Sequence, residues 1–271
     1  MKVMIMKYLF LSVYLLSPLR TMAQASGGEI KRSIKMQSSN TTIISPVIKC
    51  LIKNMVFVEG GTFTMGATSE QGGDVSSDEK PTHGVKLSSF YICKYEVTQE
   101  EWQAVMGSNP SEYKGTKHPV DNVSWKDCQD FISKLNTITG KQFRLPTEAE
   151  WEFAARGGNL SKGYKYAGSN NPTTVAWYDC YPNGSHNVGQ KKANELGLYD
   201  MSGNVYEWCS DGYGFYSSSL QINPSGVTNG TDHVIRGGGW FSLDANDCRL
   251  SYRFHLNLYE RNPFVGLRLA L

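Results

Sequence analysis

Apolar residues repeat at helical spacing behind three short sequences that are typical of helix starts. Thr98 and Thr147 each precede a Glu by three residues, which is the capping-box pattern, and Ser124 precedes an Asp in a weaker version of it. The apolar faces that follow, over residues 102–106 and 128–135, are predicted to be core. The pattern therefore predicts three helices before residue 156, and we assign their apolar faces no other role.

Strand-forming residues alternate or cluster in three places before residue 96. Residues 55–58 and 62–65 flank Glu59-Gly60-Gly61, which predicts a β-hairpin, and Tyr91, Cys93 and Tyr95 alternate through a further strand. After Arg156, more than 110 residues follow with many glycines and no helical periodicity. A loop-rich half of this length needs buried aromatic residues, disulfides or a metal to order it, and such loops are usually functional.

Composition indicates a folded chain and excludes one class of partner. The 271 residues are 40% hydrophobic and 19% charged, which allows one large or two small domains with a substantial core and argues against disorder. Of the 27 basic residues, Lys2, Lys7 and Arg20 lie in residues 1–24, where no acidic residue occurs. The remaining 24 basic and 25 acidic residues give a charge of about −1, so no nucleic-acid partner is expected.

The N-terminal 24 residues are predicted to be a signal peptide. Two lysines precede an apolar run over residues 8–16, and small residues follow around Ala23 and Ala25, where cleavage is expected. A membrane anchor is the alternative, but the run is about half the ~20 residues that a spanning helix needs. We therefore predict an exported protein, periplasmic, on the outer surface or secreted, with no transmembrane segment after signal cleavage. Residues 25–54 are expected to be a polar tether and residues 55–271 one domain.

All six cysteines follow the predicted signal, in a compartment that permits disulfides. No Cys-x-x-Cys pair suggests a zinc or redox site. One to three structural disulfides with buried free thiols are therefore expected, and the pairing stays open among fifteen full connectivities.

Five sequence motifs, which occur along the chain in the order of a known family, carry a family resemblance. They are Pro119–Trp125 (PVDNVSW), Arg144–Glu152 (RLPTEAEWE), Gly197–Trp208 (GLYDMSGNVYEW), Val234–Trp240 (VIRGGGW) and Gly266–Ala270 (GLRLA). Through them, residues 55–271 resemble the formylglycine-generating enzyme family, also called sulfatase-modifying factor domains. The resemblance implies an α+β, C-type-lectin-like fold with little regular secondary structure, which agrees with the loop-rich half predicted from the pattern.

The resemblance also implies a calcium site. Asp200, Gly203, Val205 and Glu207 match the family positions that hold calcium, the Gly and Val positions contributing carbonyl oxygens. Two carboxylates and two carbonyls within eight residues are also an all-oxygen donor set suited to a hard cation. An Asp-initiated turn before a strand is the alternative. We expect a calcium-stabilised domain.

The family's oxidases use two cysteines after the Gly-rich turn to bind copper and, with dioxygen, convert a sulfatase cysteine to formylglycine. Soft thiolates suit Cu(I). Here Ser242 and Asp247 stand at the two matching positions, and Cys248 comes one residue late. A single thiol cannot form that site, so copper is not expected, and the favoured interpretation of Cys248, the remaining catalytic candidate, is a disulfide or a buried thiol.

The segment from residue 241 to residue 261 holds the recognition candidates, because aromatic side chains on loops are typical contact residues. Trp240, Arg249, Arg253 and Arg268 are predicted to brace the interior instead. The candidate ligand contacts are Phe241, Ser242, Asp244, Asn246, Asp247, Tyr252, Phe254, His255, Asn257 and Tyr259. The segment also resembles the variable region of retroelement-diversified lectin-fold proteins.

Three hypotheses follow. The first is a non-oxidising, exported family member that binds a protein, peptide or glycan. The second is a formylglycine-generating oxidase with an atypical thiol arrangement, acting on a sulfatase. The third is a retroelement-diversified surface receptor.

Overall fold

The computed structural model describes residues 44–227 and 230–271, and its helices are short. The predicted signal peptide and the first part of the predicted tether lie outside these residues. The α-helices of the described part are α1 (Pro46–Lys53), α2 (Gln99–Met106), α3 (Trp125–Thr139), α4 (Glu148–Ala155) and α5 (Pro172–Val175). None of the described helices is long and apolar enough to cross a membrane.

The three predicted helix starts are confirmed. At each of α2, α3 and α4, the N-cap hydroxyl accepts a hydrogen bond from the N–H three residues on, and the acidic residue there accepts from the N-cap N–H. These caps satisfy backbone donors that a helix start otherwise leaves unpaired. The local sequence alone therefore placed these starts correctly.

The described strands are β1 (Met55–Val58), β2 (Gly61–Met65), β3 (His83–Leu87), β4 (Phe90–Cys93), β5 (Tyr206–Gly212), β6 (Gln221–Ile222), β7 (Asp232–Arg236), β8 (Arg253–Asn257) and β9 (Val265–Gly266). They form a two-stranded β1-β4 sheet, a β2-β3-β6 sheet and a four-stranded sheet in the order β8-β7-β5-β9. The predicted fold class, α+β with little regular secondary structure, is confirmed.

The predicted hairpin between residues 55–58 and 62–65 is wrong, although both strands exist. β1 pairs with β4 and β2 pairs with β3, both antiparallel, so the chain changes sheets at Gly60. A Cβ on Gly60 would lie 2.5 Å from the Leu87 carbonyl oxygen, which only glycine allows. Side-chain alternation identifies strands, but distant residues supply their partners.

The predicted tether ends earlier than residue 54. Residues 46–53 form α1, whose N-cap Ser45 accepts from the Ile48 N–H. Ile48 and Leu51 are almost fully buried in the same apolar cluster as Trp102 and Phe131. The boundary at Met55 is therefore wrong, because the short apolar patch in the tether is one face of a helix that belongs to the domain.

The four-stranded sheet separates two apolar clusters. Trp208 of β5 and Ile235 of β7 pack with α1, α2 and α3 on one face. Cys209, which follows Trp208 on β5, packs with α4 on the other face. Val234, which precedes Ile235 on β7, does the same. Alternate residues of a strand point to opposite faces, so one sheet serves both clusters.

Buried ion pairs connect the loop-rich half to the rest of the domain. The connecting pairs are Arg236–Glu152, Arg249–Glu79 and Arg253–Glu148. A fourth pair, Arg268–Glu207, lies within the loop-rich half, and all eight side chains are buried. Trp240 is also buried, and its Nε1 donates to the Pro263 carbonyl at 3.2 Å. The prediction that Trp240, Arg249, Arg253 and Arg268 brace the interior is confirmed.

Candidate functional site

Three of the predicted calcium ligands, Asp200, Gly203 and Val205, lie on a tight turn that leads into β5, and the fourth, Glu207, lies in β5. Asp200, Gly203 and Asn204 all have positive φ, at 57°, 80° and 68°. A Cβ on Gly203 would lie 2.5 Å from the Trp177 carbonyl oxygen, so glycine is required there. The turn brings Asp200 and Glu207 to one buried region of the domain, where both are less than 4% exposed.

Glu207 is already surrounded by protein donors. Its Oε2 accepts from Trp151 Nε1 at 2.7 Å, and its Oε1 accepts from Arg268 Nη2 at 2.7 Å. Arg268 Nε lies 3.0–3.1 Å from both oxygens. These donors occupy most of the lone-pair positions of the carboxylate, so Glu207 is arranged as the partner of Arg268.

Asp200 has an oxygen that no described residue bonds. Its Oδ2 accepts from the Gly189 N–H at 2.7 Å, while Oδ1 is buried without a hydrogen-bond partner among the described residues. Burial raises the pKa of Asp200 to about 6. An orphaned buried carboxylate oxygen is what a bound cation would satisfy, so Asp200 fits a hard-cation site better than Glu207 does.

Glu96, which sequence reasoning missed, completes the same cluster. Its oxygens accept from Asn204 Nδ2 at 2.6 Å and from the Val205 N–H at 3.1 Å. Burial, and then the charges of Asp200 and Glu207, raise the pKa of Glu96 well above its ordinary value. Glu96 and Asp200 are thus near enough to Glu207 and Arg268 for their charges to interact, although the described residues include no group of three or more His, Cys, Asp or Glu side chains that could hold a metal ion. The available signal was an acidic residue between two apolar neighbours, Tyr95 and Val97, directly after the strand predicted through Tyr95.

The thiol of Cys248 lies inside the domain. Cys248 is fully buried at the end of the 3-10 helix Ala245–Cys248, in a cluster with Tyr166 and Val175. Burial, and then the charge of Asp247, raise the pKa of this thiol, which disfavours the thiolate that nucleophilic attack or metal binding requires. Ser242 is also buried, and its hydroxyl accepts from the Gly239 N–H at 3.2 Å.

Another thiol lies on the segment that packs against the Gly-rich turn. The Cys180 N–H donates to the Trp240 carbonyl at 2.9 Å, a contact that no sequence spacing indicated. Burial raises the pKa of the Cys180 thiol as well. All six cysteines fall within the described residues and are free thiols there, so the structure does not show the disulfides that the sequence predicts.

One of the candidate contacts, Phe241, belongs to a small aromatic patch, defined here as Tyr181, Phe241 and Phe264. Phe241 is 47% exposed and stacks on Phe264 with ring centroids 5.4 Å apart, and Tyr181 is 67% exposed and meets Phe241 edge-on at 6.4 Å. Sequence reasoning missed Tyr181 and Phe264 as members of this patch, because contact between distant loops creates it.

The polar candidates of residues 242–252 mostly bond to one another or to nearby residues. Asp244 caps the 3-10 helix by accepting from the Asn246 N–H at 2.9 Å, and Asn246 Oδ1 accepts from Lys165 Nζ at 2.9 Å. Asp247 is half-buried, and burial followed by the charge of Asp244 raises its pKa. Tyr252 is half-buried and packs against the first apolar cluster. Of this group, Asp244 is exposed beside an exposed Leu243.

The remaining candidates lie on β8 and the turn after it. His255 Nδ1 lies 3.0 Å from Asp232 Oδ2, and its ring stacks on Tyr213 at 4.0 Å. Phe254 is 45% exposed, and Tyr259 is 71% exposed. Asn257 Oδ1 accepts from the Tyr259 N–H at 3.2 Å. His255 thus contacts β7 and the segment after β5, whereas Phe241 contacts the other two residues of the aromatic patch.

Comparison with known proteins agrees with this architecture. A family model described as a sulfatase-modifying factor enzyme 1-like domain matches residues 42–271, a span that includes α1. The solved structure of Treponema denticola variable protein 1 is similar with a TM-score of 0.72 and 31% identity, over 80% of this chain and 94% of that one. The predicted fold of residues 55–271 is therefore confirmed.

Two relatives that align with most of this chain have different names. Chaperone protein LppX of Paenibacillus barcinonensis is 35% identical over 284 aligned residues, covering 86% of this chain and 91% of that protein. A formylglycine-generating enzyme of Thermomonospora curvata is 28% identical over 271 aligned residues, covering 74% of this chain and 85% of the enzyme. The chain belongs to the sulfatase-modifying factor family, which is also the formylglycine-generating enzyme family.

Proposed function

We propose that this chain is an exported, non-oxidising member of its family that binds an apolar segment of a protein or peptide through the aromatic patch. The observation that carries the proposal is the exposure of Phe241 and Tyr181 above a rigid frame. Trp240 lies buried beneath Phe241, with its ring 5.6 Å away, and is itself fixed by its bond to Pro263. Exposed aromatic side chains on a fixed backbone bind with little loss of conformational entropy.

The positions and burial of the cysteines support the proposal that this chain does not oxidise a substrate cysteine. The positions that match the two copper-binding cysteines hold Ser242 and Asp247, and the nearby Cys248 is a buried thiol with a raised pKa. Similarity to a protein named as a chaperone, LppX, favours a protein or peptide over a glycan as the ligand. Export rests on the N-terminal sequence pattern. Calcium rests on the orphaned oxygen of Asp200 and on the family resemblance, and its role in this proposal is to stabilise the turn before β5.

Binding is tested with a library of fluorescent octapeptides, half of them with aromatic and aliphatic centres, by fluorescence polarisation. We expect the apolar half to bind, and Phe241→Ala to weaken binding about tenfold or more, as for a residue at the centre of an interface. Phe57→Ala is the matched control, because Phe57 is an exposed aromatic residue outside the patch and outside the candidate contact set. Equal losses in both variants, or preferential binding of oligosaccharides, would contradict the proposal.

Oxidation is tested separately by mass spectrometry of a Cys-x-Pro-x-Arg sulfatase peptide incubated with the protein, copper and dioxygen. We expect the peptide to keep its cysteine. An aldehyde product that disappears in Cys248→Ser would overturn the non-oxidising proposal and establish the oxidase alternative.

A further inference from the structure

A cavity of about 440 Å³ opens between the start of α4, the ends of β3 and β5, and the segment that follows β5. None of the candidate ligand contacts and none of the predicted calcium ligands lines it. Its volume is in the range of small-molecule sites, roughly 300–1,000 Å³. The cavity is therefore a separate place in the domain that the proposed function leaves unused.

Asp211 provides the charged group of this cavity. It is 3% exposed, and its Oδ2 accepts from the Glu148 N–H at 3.0 Å and from Ser210 Oγ at 2.9 Å. No donor among residues 44–227 and 230–271 reaches its Oδ1. A buried carboxyl with an unused oxygen and no paired cation is costly unless something else compensates it.

The neighbouring charges do not compensate Asp211. Arg253 also lines the cavity, but its Nε and Nη2 donate to Glu148 at 2.8 and 2.6 Å. Its Nη1 donates to the carbonyls of Gly214 and Asp78 at 2.9 and 3.0 Å. Glu148 and Glu150 of α4 add negative charge on the same side. Burial, and then the charge of Glu148, raise the pKa of Asp211 to about 7.

His83 also lines the cavity. Its Nδ1 lies 3.1 Å from the Pro81 carbonyl oxygen, and because a carbonyl only accepts, Nδ1 carries the hydrogen. The His83 ring packs against Tyr216 with centroids 4.7 Å apart, and the Tyr216 hydroxyl donates to Glu148. Among the described lining residues, the one guanidinium is that of Arg253, whose donors are all used elsewhere, so no Arg or Lys of this lining pairs with Asp211.

Apolar and aromatic side chains make up the rest of the wall. Met65 and Ala149 come from the second apolar cluster, and Phe215, at the cavity, is 86% exposed. Its ring is therefore free to pack against the hydrocarbon part of a bound molecule. Aromatic faces also attract ammonium groups.

We propose that this cavity binds a small aliphatic molecule that carries a primary ammonium group, which pairs with the Asp211 carboxylate while its hydrocarbon part packs on Met65 and Phe215. An ammonium supplies the cation that Asp211 lacks. The hydrocarbon part covers the exposed ring of Phe215.

The probes are n-pentylamine and 1-pentanol, which differ in the charged group, titrated into the full chain by calorimetry. We expect pentylamine to bind at least tenfold more tightly than pentanol. Only ionised Asp211 pairs with the amine, so a pKa of about 7 predicts affinity about tenfold higher at pH 8 than at pH 6. The amine itself stays protonated throughout that range. Asp211→Asn should weaken pentylamine binding at least tenfold and abolish this pH dependence. Asp130→Asn, at an exposed carboxyl of α3 away from the cavity, should change neither.

Equal binding of pentanol and pentylamine would overturn the proposal, and so would unchanged pentylamine binding in Asp211→Asn. Failure of millimolar pentylamine to bind the wild-type chain would do the same, as would tighter binding of a neutral sugar such as glucose. If Asp211→Asn does not fold, Phe215→Ala replaces it, because Phe215 is largely exposed and its truncation should leave the fold intact. Weaker pentylamine binding in that variant supports the proposal, and unchanged binding contradicts it.

Discussion

Replacement of Glu207 by Gln tests whether buried ion pairs hold the loop-rich half in place. Glu207 is 1% exposed, Arg268 is fully buried, and each of the two oxygens of Glu207 accepts from Arg268. Glutamine has the same shape but no charge, and its amide nitrogen would face an Arg268 N–H, donor against donor. Arg268 would then keep its bonds to the Cys93 and Tyr199 carbonyls while its charge stays buried without a counter-ion.

The expected cost is large for a single atom change. Removing one partner of a buried pair typically costs about 3–5 kcal/mol, because the remaining charge is uncompensated. For a domain of this size, 1 kcal/mol corresponds to roughly 2–4 °C in Tm. We therefore expect Glu207→Gln to lower Tm by roughly 6–20 °C.

Tm is measured by circular dichroism in the presence of a chelator, so that any calcium contribution through the predicted ligand set is removed from both proteins. Arg261→Gln is the matched control, because Arg261 pairs with Asp127 while its side chain is 58% exposed, and such pairs contribute about 1 kcal/mol or less. A loss in Glu207→Gln no larger than in Arg261→Gln would refute the reasoning that buried pairs order this half.

Three further predictions follow. Calcium at one hundred times its Kd should stabilise the wild-type protein by about 2.7 kcal/mol and should not change the stability of Asp200→Ala. Asp244→Ala is the control. A wild-type Tm that is the same with calcium and with chelator would disprove the calcium proposal. Asp121 is fully buried with an unpartnered Oδ2, and burial raises its pKa to about 7. Between about pH 4 and 7 the folded state therefore holds a proton on Asp121 that the unfolded state has lost. The free energy of unfolding should fall as pH rises through that window, and it should fall less in Asp121→Asn. Equal slopes of unfolding free energy against pH for the two proteins, measured by urea unfolding, would contradict this. Iodoacetamide should label exposed Cys50 in the native protein but reach Cys93, Cys128, Cys209 and Cys248 only after unfolding, and rapid native labelling of Cys248 by mass spectrometry would refute its burial.

Much of the first half of the domain could be predicted because its signals are local. The hydroxyl and acidic residues at Thr98, Ser124 and Thr147 are close enough in sequence to bond within one helical turn, so the sequence contains both partners of each cap. Strands β1 and β2 were identified for the same reason. Their partners were not, because the residues that complete each sheet lie at 83–87 and 90–93 rather than on the neighbouring strand.

The candidate sites depended more on distant contacts. The sequence identified Phe241 as a contact candidate, but Tyr181 and Phe264, which create the patch with it, lie 60 and 23 positions away. It placed Ser242 among the contacts, whereas the structure buries Ser242 under the turn. Nothing in the sequence indicated Asp211 as a site residue, because its raised pKa comes from burial next to Glu148 without a paired cation.

The sequence by itself determined the family, the helix starts and the presence of a single cysteine, Cys248, after the Gly-rich turn. These depend on residue identity at fixed spacing, which is unchanged by folding. Only the tertiary structure decided which carboxylates are free to bind a ligand. Glu207 and Asp200 look alike in the sequence, but folding places Arg268 and Trp151 against one and leaves an oxygen of the other without a donor. The environment of a charge, rather than its identity, sets its pKa and its partners, and that environment is assembled from residues far apart in the chain.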